Sequence, residues 1–287
     1  MNKTIGWYPG HMAKAKRLLS QQLSRVDVVI EVCDARLPLS SRNPDLLPMI
    51  AHKNRFLVLN KADLANPAVT ARWNAWFTQQ GEMVTEAVGT RPLRALRRLI
   101  EEAVRERMQR NEQRGVKRTV RAMVVGVPNV GKSTIINTLA GSKTLKAEDR
   151  PGVTRANQWV RIAPFIEIMD SPGLLWPRLD DQQAARRLAY IAAIRDEVLD
   201  TYRLAQSLAE ELMVLEPELF MNRFRVEDAS LRGQALMEAI CAGRGFIGRG
   251  AVPDLDRGAS VLLDEFRAGR IGRISLELPP AEDSHAH

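Results

Sequence analysis

The residues Gly126-Val127-Pro128-Asn129-Val130-Gly131-Lys132-Ser133 follow an apolar, strand-like run and open a helical one, at the spacing G-x-x-x-x-G-K-[ST]. The chemistry this pattern offers is the cradling of a phosphate chain. Glycines at 126 and 131 let the main-chain N–H groups of Asn129, Val130, Gly131, Lys132, Ser133 and Thr134 wrap the oxygens. A helix N-terminus adds a favourable dipole, Lys132 meets the β and γ phosphates, and the Ser133 hydroxyl suits Mg2+. A chance glycine-rich turn is the competing reading, and the flanking strand and helix count against it.

Further along, Asp170-Ser171-Pro172-Gly173 closes an apolar run, so that a carboxylate can reach the metal shell and the Gly173 amide can sense a γ-phosphate. Between the two, Arg150-Pro151-Gly152-Val153-Thr154 offers Thr154 to complete Mg2+ coordination, which makes Lys132 and Thr154 the candidate catalytic groups on this motif set. A base would be read by Asn60-Lys61-Ala62-Asp63. The Asp63 carboxylate can accept from guanine N1–H and the exocyclic amine, which adenine does not offer. Lys61 would lay its stem over the ring, and Asn60 would tie the loop to its neighbours. Alone, such a tetrapeptide reads equally as a helix-capping turn; a phosphate loop in the same chain favours base recognition. Thr85-Glu86-Ala87 could present a main-chain amide to guanine O6.

These motifs occur in a rotated order: base recognition, phosphate loop, threonine, D-x-x-G. Geometry permits the rotation, because a site built from loops at the carboxyl ends of parallel strands does not depend on where the chain is cut. The chain then leaves the nucleotide domain soon after Gly173, so switch movement could reposition whatever follows.

Positioning such loops requires a mostly parallel sheet with flanking helices. Apolar runs at 26–33, 56–60 and 120–127 predict buried strands, with further strands near 157–162 and 165–170. Helical spacing predicts helices over 69–80 and 91–110, and a loop and helix span 128–140, an α/β alternation. Beyond Pro177 lysine is absent and residues 182–215, 228–242 and 256–268 read as helical. The expected organisation is an α/β domain over 1–177, a small all-α domain over 178–280 and a disordered tail over 281–287.

Composition narrows the class. The 287 residues are 45% hydrophobic, enough for a full core. No apolar stretch has the length of a membrane span or a signal peptide, and two distant cysteines, Cys33 and Cys241, give neither a disulfide framework nor a zinc site. The net charge of +8 is uneven: residues 1–177 carry 28 Lys and Arg against 15 Asp and Glu, the remainder 14 against 19. A basic first part suits a polyanion, although a merely solvated basic face is the alternative.

On these motifs, together with Gly6-Trp7-Tyr8-Pro9-Gly10-His11-Met12-Ala13-Lys14-Ala15, Asp34-Ala35-Arg36 and Phe266-Arg267-Ala268-Gly269-Arg270-Ile271-Gly272-Arg273, the chain resembles the circularly permuted bacterial ribosome-assembly GTPases of the ribosome biogenesis GTPase A group. The resemblance implies a circularly permuted P-loop GTPase domain and a cytoplasmic, non-membrane protein, expected as a monomer. It would bind GTP and GDP with Mg2+, join the immature large ribosomal subunit, contact rRNA partly through its helical domain, and leave after hydrolysis. The expected RNA contacts are Lys14, Lys16 and Arg17 on the basic half and Arg267, Arg270 and Arg273 on the net-acidic one. Leu174 stands where a glutamine would orient the attacking water. Asn129 resembles the K+ ligand of potassium-stimulated GTPases. His11 is the hypothesised water-orienting group, a structural surface histidine being the alternative. A GTPase acting on a membrane or signalling target, and a binding module in which turnover only resets the state, are the rival functions.

Overall fold

The computed structural model describes residues 17–91, 93–113, 119–141, 159–171, 181–194 and 199–280. The β-branched runs form one sheet: β1 (Val28–Asp34), β2 (Asn54–Asn60), β3 (Met83–Glu86), β4 (Val120–Val125), β5 (Trp159–Ala163) and β6 (Ile166–Asp170), in the order β3-β2-β1-β4-β6-β5. All neighbours run parallel except the edge strand β5, which is antiparallel to β6.

Every residue of β1 is buried, as a central strand covered on both faces requires. Its alternating side chains feed different helices. Val29 packs with Leu19 and Leu23 of the helical residues 17–23, and Cys33 with Trp73 and Phe77 of α1 (Pro67–Gln79). On the other face, Val28, Ile30 and Val32 join Leu96 and Ile100 of α2 (Arg94–Gln113) and Ile135 of α3 (Lys132–Ala140). Glu31, an acid inside this apolar strand, is answered by Arg42, whose Nε and Nη2 donate to its carboxylate at 3.0 and 2.7 Å.

Five longer helices follow the sheet: α4 (Gln182–Tyr190), α5 (Thr201–Leu215), α6 (Pro217–Phe224), α7 (Gly233–Arg244) and α8 (Leu255–Arg267). The single helical stretch expected over 182–215 is therefore two helices. Ala192 turns left-handed at φ 58°, and the Asp200 side chain caps α5 by accepting the Arg203 N–H at 3.0 Å. The sequence reading also passed over α6, which starts on Pro217, where a missing N–H costs nothing.

The end of the part expected over 178–280 is not helical. Residues 273–277 leave the helices and lie along the α/β part: Ile274 N–H donates to Leu64 O at 3.0 Å and Leu276 N–H to Arg36 O at 2.8 Å. Glu277 accepts the Leu39 N–H at 2.8 Å through its side chain and Trp73 Nε1–H at 3.1 Å through its main-chain oxygen. The cause is visible in the side chains, since Ile274 and Leu276 are buried and find their apolar partners here. One hydrophobic cluster accordingly runs from Val32 in the sheet to Leu208, Phe266 and Leu276. The tail over 281–287 lies outside the described residues. Among the described residues, no helix is long and apolar enough to cross a membrane.

Candidate nucleotide site

Parallel strands deliver their carboxyl ends to one edge of the sheet. Asp34 at the end of β1 is in register with Asn60 at the end of β2, and Val124 of β4 with Asp170 at the end of β6. At this edge Asn60 Nδ2 donates to Val130 O at 2.7 Å and Lys61 Nζ to Asn129 O at 2.6 Å, so the tetrapeptide at 60–63 abuts the phosphate-loop sequence at 126–133. Gly131 is needed at this contact: its φ is +93°, and an added Cβ would lie 2.4 Å from Asn60 Nδ2. Ala62 N–H donates to Ala87 O at 3.2 Å, which brings Thr85, Glu86 and Ala87 beside the same tetrapeptide. Asp63 is exposed at that rim, Glu86 accepts from Asn74 Nδ2, and Thr134 faces Gly89 across 3.2 Å to a Cβ placed there.

The other end of the site is buried. Lys132 begins α3 and donates from Nζ to Val127 O at 2.9 Å. Burial pushes its ammonium down to about 8, against the attraction of Asp170. The Ser133 hydroxyl donates to Asp170 Oδ2, and burial raises the Asp170 carboxyl while Lys132 and Ser133 oppose it. Asp170 Oδ1 has no hydrogen-bond partner among the described residues. A serine hydroxyl, a carboxylate and an unsatisfied buried carboxylate oxygen are hard donors that fit Mg2+, an ion bound through one or two protein oxygens plus phosphates. Among the described residues there is no cluster of three or more His, Cys, Asp or Glu able to hold a metal. Bound there, Mg2+ would neutralise phosphate charge as it develops. Thr154, Gly173, His11, Lys14 and Lys16 lie outside the described residues.

Asn129, the expected K+ ligand, has φ 61° and donates from Nδ2 to Ala192 O at 2.7 Å, linking the loop to the turn after α4. Of the arginines expected to meet RNA, Arg17, Arg270 and Arg273 are exposed and Arg267 is half-buried. Arg267 and Arg273 have structural partners that the sequence reading did not foresee. Arg267 donates to Tyr190 O and Ala189 O at 3.0 and 3.1 Å, and Arg273 to Ala65 O and Ala62 O at 3.1 Å each. A cavity of about 840 Å³, also unforeseen, opens between α6 and α7 and is lined by Arg223, Arg225 and Arg244. Arg223 and Arg244 both pair with Glu265, at 2.6 and 2.9 Å, while Arg225 is exposed.

Fold and site define a circularly permuted GTP-binding protein of the P-loop class. Residues 121–219 match the family described as 50S ribosome-binding GTPase. The chain is 39% identical to ribosome biogenesis GTPase A of Bacillus cereus over 278 residues, covering 96% of this chain and 94% of that protein. It is similar to a GNP-bound YlqF structure from T. maritima (28% identity, TM-score 0.65, 93% and 99% of the two chains) and to a GDP-bound one (26%, 0.66, 92% and 100%). The chain belongs to the ribosome biogenesis GTPase A family. It is thus a GTP hydrolase with a role in ribosome assembly.

Proposed function

We propose that this GTPase joins the immature large ribosomal subunit in the cytoplasm, promotes its late assembly, and is released when hydrolysis, stimulated by the particle, converts GTP to GDP. The observation that carries the reading is the pair of bonds from Asn60 and Lys61 to the carbonyls of Val130 and Asn129, residues 70 and 68 positions away. Bonds so distant in sequence support a single cleft gripping both ends of one nucleotide. In it Asp63 reads the guanine edge, Lys61 covers the ring, and residues 85–87 meet O6. The 129–134 amides and Lys132 hold the phosphates, and Ser133, Asp170 and Thr154 serve Mg2+. Gly173 senses the γ-phosphate, His11 orients the attacking water, and Asn129 offers its amide oxygen to K+. The RNA-facing cations are Lys14, Lys16, Arg17, Arg267, Arg270 and Arg273, joined by Arg225 at the cavity rim; release of phosphate counterions drives that contact. The helical part serves as the ribosome-facing unit.

The test is GTP turnover with and without large-subunit particles, in K+ and in Na+, beside co-sedimentation with GDP, GTP and a non-hydrolysable analogue. Turnover should rise on the particles and fall when Na+ replaces K+, and the analogue should keep the protein bound. Equal retention with all three nucleotides would overturn hydrolysis-driven release.

A further inference from the structure

Two sequence elements have no part in phosphate or metal binding, Asp34-Ala35-Arg36 and 266–273, and the fold brings them into contact. Asp34 is wholly buried at the end of β1 and takes Arg36 Nε and Nη2 on its two oxygens, at 2.9 and 2.8 Å. Its Oδ2 also lies 3.3 Å from Lys61 Nζ. Burial alone would raise this carboxyl, yet Arg36 and Lys61 hold it well below the usual carboxylate range, so it stays charged at any working pH. The remaining arm of Arg36 reaches the other element: Nη1 donates to Phe266 O at 3.1 Å, and the guanidinium sits 5.0 Å from the centre of the Phe266 ring.

The return segment closes on the same loop. Besides the Ile274 bond to Leu64 O and the Leu276 bond to Arg36 O, Arg273 holds the carbonyls of Ala62 and Ala65, and Asn66 N–H donates to Ser275 Oγ at 3.1 Å. Gly269, at φ +69°, lets the chain pass so close that a Cβ there would lie 2.6 Å from Leu64 Cδ2. Residues on either side of Asp63 are therefore clasped by the chain that ends the helical part.

We propose that Asp34 and Arg36 are positioning residues for base recognition, and that through them and Arg273 occupation of the base site tightens the hold on residues 266–277. The proposal rests on the assignment of Lys61 and Asp63 to the guanine base. Asp34 fixes the ammonium whose stem covers the ring; Arg36 gives that carboxylate a second attachment, in the helical part. Linkage makes the effect reciprocal, so whatever displaces 266–277 weakens the grip on the base.

Amide exchange reads this directly, because the N–H groups of Ile274 and Leu276 exchange only when they leave Leu64 O and Arg36 O. In the full-length protein GDP should slow both by about tenfold, within the ordinary range of coupling between sites, whereas pyrophosphate, which lacks a base, should slow neither. In Arg36→Met, which keeps the stem over Phe266, fluorescent GDP should still bind while the slowing drops to about twofold or less. Arg273→Met removes an exposed side chain, leaves the buried pair intact and should shrink the slowing too; it decides the matter if Arg36→Met does not fold. Because the readout is the ratio with and without GDP, a merely structural loosening leaves it unchanged. Full slowing in a folded Arg36→Met protein, or equal slowing by pyrophosphate, overturns the inference. So does a wild-type protein that binds GDP with these amides indifferent, whereas failure to bind GDP would overturn the nucleotide-site assignment itself.

Discussion

Raising the pH should weaken nucleotide binding far below the range in which ordinary lysines titrate, because burial pushes Lys132 from 10.5 down to about 8. Phosphate oxygens bind an ammonium and not an amine, so above that pH the free protein must take up a proton in order to bind. For one titrating group, the apparent Kd relative to pH 7 rises about fourfold at pH 8.5 and about tenfold at pH 9. The stability of the nucleotide-free protein moves the other way. Between about 8 and 10.5 the unfolded chain keeps the proton and the folded one has lost it, so stability rises with pH, by about 3 kcal/mol across the window. The assay is a fluorescent-GDP titration in Mg2+ at constant ionic strength, beside a Lys132→Arg variant whose guanidinium does not titrate. That variant subtracts the ionisation of guanine N1–H, which acts at the alkaline end in both proteins. A ratio of the two Kd values that stays flat with pH would refute the reasoning, since it would mean that Lys132 keeps its proton inside the free protein.

Asp63→Asn exchanges a double acceptor for an amide, and should cost about a hundredfold in GDP affinity while improving xanthosine diphosphate, whose extra carbonyl accepts the amide N–H; competition titrations decide it. Ser133→Ala removes the hydroxyl bonded to Asp170, so GDP affinity measured in Mg2+ and in EDTA should converge to within about threefold. Leu208→Ala empties a fully buried place in α5, where the helical part shares its core with the sheet, and should cost about 2–5 kcal/mol in a urea titration.

Much of this architecture is legible in the residues. The runs at 26–33 and 56–60 are largely apolar because both sheet faces are covered, and the expected strands there, observed at 28–34 and 54–60, follow from that alone. The 126–133 turn needs its glycines partly for their positive φ, a local demand, so it too can be read without coordinates. The clasp around 60–65 cannot. Asp34 and Arg36 are visible as charges after an apolar strand, but the Arg36 partner in the helical part is Phe266, 230 positions later, and no local spacing predicts that pairing. Glu277 looks like a polar residue in a terminal tail; its burial follows only once residues 39 and 40 supply N–H donors from the opposite end of the chain. The interruption between α4 and α5 is similar, since the apolar spacing continues across it while a left-handed Ala192 turns the chain toward Asn129.

Chain continuity after D-x-x-G suggests that the γ-phosphate switch alone moves the helical part. The structure adds two further attachments, from the phosphate loop through Asn129 to Ala192 and from the base loop through Arg36 and Arg273 to residues 266–277. These attachments answer to different events on the proposed reading of the site. Hydrolysis removes only the γ-phosphate, leaving the base and the inner phosphates where they were, so the base-loop clasp is set equally by GTP and GDP and is released only when the site empties. On that reading Gly173 senses the γ-phosphate, and it is there that GTP differs from GDP. If so, a permuted chain divides two signals that a single hinge would merge, with occupancy read at the base and the state of the nucleotide at the switch. Exchange of the Ile274 and Leu276 amides should therefore be slow alike with GDP and with a non-hydrolysable GTP analogue, while affinity for the ribosomal particle differs between them. Exchange that followed the γ-phosphate would show that one hinge carries both signals.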